Sequence, residues 1–132
     1  MRKHVLAITY TPKIEAVRSG ECRQTIRKVG KHAISVGDSI LFHGWECKSY
    51  RSKWSWKMRV TVVDVIPIIV YDTYFQRIGN PLMPIWDGKW GDLLAQKDFI
   101  DPPTGIALRD VLFKLNGGKV PTEPEKYQII RW

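Results

Sequence analysis

The 132 residues are 44% hydrophobic and 26% charged, enough for one domain that buries a core without disulfide or metal staples. The net charge of +8 is one-sided: residues 1–60 hold 13 Lys and Arg against 4 Asp and Glu (+9), and residues 61–132 hold 8 against 9 (−1). No apolar run is long enough to span a membrane, the start MRKHVLAITY lacks the apolar length and cleavage site of a signal peptide, and two cysteines make no disulfide framework.

HVLAITYT, residues 4–11, alternates and is β-branched, which predicts a strand. Thr11 stands as a candidate N-cap before Pro12. PKIEAVRSG then predicts a short helix with Ile14, Ala16 and Val17 toward the core and Gly20 at its C-cap. RQTIRK predicts a strand and residues 29–36 a loop. Gly37-Asp38 marks a turn before the strand SILFHGW. KSYRSKWS reads as a polar connection, WKMRVTVVDVIPII as one long strand ending near Pro67, and residues 71–90 as a long ordered loop. WGDLLAQKDF predicts a helix with Asp92 near its start, and Pro102-Pro103 ends that segment. TGIALRDVLFKLNGG predicts a clearer helix, with Ile106, Leu108, Val111, Leu112 and Leu115 on one face, and EKYQIIRW a last strand. The order fits an α+β, mainly β domain: a small closed or nearly closed barrel with flanking helices, over residues 1–132.

A chain with one strongly positive half suits a polyanion, nucleic acid before an anionic membrane surface. Two stretches carry the chemistry. In SGECRQTIRK, residues 19–28, strand alternation puts Cys22, Gln24, Ile26 and Lys28 on one face and Arg23, Thr25 and Arg27 on the other. Guanidinium forks suit phosphate or base edges, and a threonine hydroxyl both donates and accepts. The alternative is an exposed strand face with solvated arginines. In KSYRSKWSWKMR, residues 48–59, Lys48, Arg51, Lys53, Lys57 and Arg59 interleave with Tyr50, Trp54 and Trp56. Cations hold a nucleic-acid backbone and aromatic faces stack on unpaired bases, at roughly 1–3 kcal/mol per base. The alternative is that the tryptophans cover the core. Residues 71–90 either cap a cleft or pack on the barrel, and Asp72 and Asp87 within them are acids without supporting spacing. There is no C-x-x-C pair, His4, His32 and His43 lack ligand spacing, and GGK at 117–119 lacks the rest of a P-loop, so no metal and no cofactor are expected.

Three features together resemble the ASCH domain family of the PUA-like superfamily: the helix–glycine–strand element SGECRQTIRK against the pattern G-x-K-x-x-x-x-R, the Gly37-Asp38 turn before SILFHGW, and the course LLAQKDFI, ALRDVLFKL, YQIIRW. The resemblance spans nearly the whole chain. It implies a PUA-like fold and a cleft for RNA beside the glycine element. Some small members resemble amidohydrolases of acetylated cytidine, with the motif lysine, a threonine three residues on and a later glutamate as the catalytic set; others are linked to RNA cleavage. Gly20, Thr25 and Arg27 match this pattern, whereas Cys22 stands at the lysine position and the glycine usual before Phe99 is missing.

The expectation is a cytoplasmic, single-domain binder of RNA or another single-stranded nucleic acid, with a modified nucleobase as a possible target and no membrane partner. Its binding set is Gly20, Arg23, Thr25, Arg27, Lys28, Lys48, Arg51, Lys53, Trp54, Trp56 and Lys57. The alternative is a hydrolase acting on a modified nucleoside, or a ribonuclease, with Cys22 or Thr25 and an acid from residues 64–92. A thiolate nucleophile would need a cation or base nearby to lower its pKa.

Overall fold

The computed structural model describes residues 1–45, 53–118 and 120–132. In chain order the elements are β1 (Lys3–Ala7), α1 (Thr11–Ser19), β2 (Gln24–Lys28), β3 (Ser39–Trp45), β4 (Trp54–Thr61), β5 (Asp64–Val70), β6 (Phe75–Arg77), α2 (Lys89–Lys97), α3 (Gly105–Leu115) and β7 (Glu125–Arg131). The fold is α+β. No helix among the described residues is long and apolar enough to cross a membrane.

The strands form two sheets, ordered β1-β3-β4 and β2-β7-β5-β6. In the first, β1 runs parallel to β3 and β4 antiparallel to it. The second is antiparallel throughout. The barrel expected from the element order is not closed among the described residues: β1 and β2 are edge strands of different sheets.

Alternation decides which side of the second sheet meets which layer. Ile26, Ile66, Ile68, Tyr127 and Ile129 share one face in register and pack with Leu94, Ala95, Leu108 and Leu112 of α2 and α3. Val65 and Ile130 point the other way, against Ile40, Phe42, Met58 and Val60 of the first sheet. Each such large apolar side chain contributes about 1.5–3 kcal/mol on full burial. Two of the helix ends carry clear sequence caps. Gly20 caps α1 at φ 84°, a left-handed conformation that favours glycine. Thr104 caps α3, its hydroxyl accepting from the Ala107 N–H at 3.2 Å. Tyr10, not Thr11, holds the N-cap position of α1, and Thr11 is the first helical residue. Where α2 and α3 meet, a Cβ on Gly105 would lie 1.9 Å from the Trp86 carbonyl oxygen and 2.8 Å from the Gly91 Cα.

Two elements differ from the sequence reading. The expected long strand is two strands, β4 in the first sheet and β5 in the second, joined through Val62 and Val63. The β-branched pattern runs unbroken through the crossing, so periodicity alone does not reveal it. The segment 71–90 is not loop throughout: it contains β6 and a bridge between Tyr74 and Ile85.

Candidate nucleic-acid interface

The first sheet buries one face and leaves the other open. Ile40, Phe42, Met58 and Val60 face inward; on the outer face Lys3, Ser39 and Thr61, then Val5, Leu41 and Arg59, then Ala7, His43 and Lys57 form successive cross-strand rows. Lys3, Val5, Lys57 and Arg59 are exposed, and none of these outer positions is an acid.

A β-bulge then sorts the tryptophans. Gly44 pairs with Trp56 but Trp45 pairs with Trp54, so Ser55 is the extra residue. Without the bulge, Trp54 and Trp56 would share a face. With it, Trp56 goes inward, packed with Met58 and covering Gly44, where a Cβ would sit 2.2 Å from its Nε1. Trp54 goes outward and stacks on His43, with centroids 4.0 Å apart and planes at 16°. Trp45 meets the same imidazole edge-on at 4.9 Å. Trp54 remains 42% exposed, so a planar ligand can extend the stack. Burial holds the His43 pKa below its ordinary value; the Gly44 backbone opposes this, and the Arg27 charge adds to it. Among the described residues the buried His43 Nδ1 has no hydrogen-bond partner.

Beside this face, where the edges of β1 and β2 part, lies a pocket of about 260 Å³. Its polar lining includes Lys13, Thr25, Arg27, His43 and Asp98, with Thr9 and Tyr10 beside them, and Ile100, Leu112 and Leu115 supply apolar wall. Arg27 braces the gap: its Nη2 donates to the Ala7 carbonyl at 2.6 Å and its Nε to the Thr25 hydroxyl at 3.3 Å. Lys13 and Asp98 form an ion pair at 2.9 Å, each side chain 5% exposed. The Gln24 amide also donates to Asp98, at 3.5 Å. Burial raises the Asp98 pKa, and the charge and hydrogen bond of Lys13, the Gln24 bond and Arg27 pull it back.

The residues expected from the sequence are distributed unevenly around this site. Thr25 and Arg27 line the pocket, on the β2 side opposite Gln24 and Ile26. Arg23 is exposed beside α1, its Nε donating to the Gly20 carbonyl at 3.3 Å. Lys28 pairs with Glu125. Gly20 serves as a helix cap. Lys53 and Lys57 are exposed and Trp54 reaches the open face, while Trp56 packs inward with Arg18 5.8 Å above its ring. Lys48 and Arg51 lie outside the described residues. Cys22 is fully buried, its thiol donating to the Gln24 carbonyl at 3.3 Å. Burial raises its pKa, with Lys13 and the backbone bond opposing and Asp98 adding to the rise, which works against a thiolate nucleophile. Asp72 pairs with Arg109 at 3.7 Å and Asp87 is exposed; neither lines the pocket. His4 pairs with the Asp38 carboxylate at 2.8 Å.

Lys13 and Asp98 were not anticipated. Lys13 lies three and four residues before Ala16 and Val17, on the buried face of α1, so a lysine on an apolar stripe was the available signal. Asp98 has no local signature, because only the turn after α2 carries it to α1. Comparison of the chain with family models, with curated proteins and with solved structures gave no match.

Proposed function

We propose that the protein is an ASCH-type domain of the PUA-like class that binds RNA or another single-stranded nucleic acid. The observation that carries this reading is the open face of the first sheet. Lys3, Lys57 and Arg59 are spaced along it as cations for a phosphate backbone, and Trp54 on His43 offers a stacking platform. A duplex hides its bases from such a platform, whereas a single strand offers them. The pocket between β1 and β2 then accepts one unstacked base against Thr25 and Arg27, which is how a modified base would be distinguished. Arg27→Ala and a Lys53→Ala/Lys57→Ala pair should each weaken binding of a single-stranded RNA, and the pair should also flatten the salt dependence. Unchanged affinity in both would remove the proposal.

A second reading, hydrolysis of a modified nucleoside, gains support from one observation. Cys22 replaces the motif lysine, but Lys13 from α1 brings an ammonium to the pocket that Thr25 and Asp98 also line. An ammonium, a threonine hydroxyl and a carboxylate are the functional groups of the amidohydrolase set, here with an aspartate in place of its glutamate and a lysine from a different chain position. Acetylcytidine is the substrate to test. Cytidine and acetate released by the wild type but not by Thr25→Val or Lys13→Met would favour it, and no turnover would leave the binding reading alone.

A further inference from the structure

A second hollow takes no part in that reading. It is a trough of about 720 Å³ on the helix-covered side of the second sheet, toward the β6 edge, and it shares no lining residue with the pocket beside Lys13. Ile66 and Ile68 of β5 line it from the sheet, Trp90 and Leu93 from α2, and Leu82 and Met83 from the segment before α2. Leu82, Met83 and Trp90 are 66%, 51% and 63% exposed, which is unusual for neighbouring large apolar groups. Three cations, Arg77, Lys97 and Arg131, complete the lining, and no acid does. Arg131 leans toward Asp64 at 3.8 Å, while Arg77 and Lys97 form no salt bridge among the described residues.

We propose that this trough docks an amphipathic helix of a partner protein, its apolar stripe against Ile68, Leu93 and Trp90 and acidic residues on its flanks. Charge complementarity selects the acids, since the charged residues that line the trough, among those described, are all positive. The wide exposure of the walls selects a helix over a small molecule. Small-molecule sites enclose most of their ligand, whereas walls as exposed as Leu82, Met83 and Trp90 leave part of an occupant in solvent, which suits a segment with one apolar face. An exposed tryptophan beside a flexible methionine is the composition of an interface anchor. The spacing also fits. Arg77 sits beside Ile68 and Arg131 beside Asp64, four residues apart on β5. That is about 13 Å along the strand, the rise of about nine helical residues. The acids of the partner should therefore lie two to three turns apart.

The test uses the full chain and two fluorescein-labelled 16-residue helical peptides. Both carry leucine at i, i+3, i+4 and i+7 repeats; one has glutamate flanks and the other lysine. Anisotropy should show the acidic peptide binding at least tenfold more tightly. Trp90→Ala and Arg77→Glu should each weaken it at least tenfold with RNA affinity and thermal midpoint unchanged. Lys114→Glu, the same charge change on α3, should alter it less than twofold. Equal effects of Arg77→Glu and Lys114→Glu would mean attraction to net charge alone and would overturn the proposal. So would dodecanoate binding at the trough with neither peptide bound, or dimerisation that Trp90→Ala abolishes. Loss of RNA binding in other variants would leave this test untouched.

Discussion

Replacing Lys13 by methionine keeps a stem of similar length and removes the one ion-pair partner of Asp98 among the described residues. At 2.9 Å and an effective dielectric of about 20 the pair attracts by roughly 6 kcal/mol, most of it offset by desolvation of both ions. The variant loses that compensation while Asp98 stays buried. Its least costly escape is to take up a proton. Against an ordinary carboxyl pKa of 3.8, holding that proton costs about 4 kcal/mol at pH 7 and about 1.6 kcal/mol at pH 5. The folded variant then binds more protons than the unfolded chain, so its stability falls as pH rises above 3.8. At about 4 °C per kcal/mol for a chain of this size, the melting temperature should drop by about 15 °C at pH 7 and about 6 °C at pH 5, relative to wild type at the same pH. Lys13→Met/Asp98→Asn removes both charges and leaves an amide oxygen for Gln24, and should recover about half the loss or more. Circular dichroism melts of the three chains at the two pH values decide the matter. A deficit equal at both pH values, or a double variant as unstable as the sum of its parts, would refute the argument that Asp98 is buried and dependent on Lys13.

Three other expectations follow from the geometry. The Asp38 carboxyl accepts from His4, the Arg2 N–H and the Ser35 N–H, which hold its pKa at about 2; its stabilising effect is present above the ordinary carboxyl pKa and lost as pH falls from about 4 through about 2, so in acid urea titrations Asp38→Asn should narrow its gap to wild type as pH drops across that window. Gly105→Ala forces a Cβ against the Trp86 carbonyl and should cost about 2–3 kcal/mol in urea unfolding, and a loss under 0.5 kcal/mol would contradict the close approach of α2 and α3. In a Cys47→Ser chain, where Cys22 is the one thiol left, a thiol reagent at neutral pH should react at least ~10³-fold more slowly than with free cysteine; fast labelling, blocked by nucleoside, would instead mark an active nucleophile.

Local signals carried much of the fold. Gly20, Thr104 and the alternation of SILFHGW and EKYQIIRW set the ends and faces of α1, α3, β3 and β7 close to where they were read. What escaped was non-local. The crossing between β4 and β5 leaves the alternation intact, and the parting of β1 from β2 is a matter of which edges pair. The site divides the same way. Thr25 and Arg27 could be assigned to one strand face from period two alone, and the structure brings both to the pocket. The separation of Trp54 from Trp56 depends on one bulged residue, Ser55, which no composition reports. Lys13 and Asp98 meet across 85 residues of chain, a pairing invisible without the fold.

Titrating the tryptophan fluorescence with a short single-stranded RNA and with the same sequence as a duplex, at roughly 50 and 200 mM salt, tests the open face of the first sheet as a binding platform. The single strand should quench the wild type but not Trp54→Phe, with affinity falling roughly twentyfold between the two salts if about three phosphates are contacted. The duplex should bind more weakly and quench little. No response to the single strand, or equal quenching by the duplex and by Trp54→Phe, would contradict a stacking platform on the open face of the first sheet.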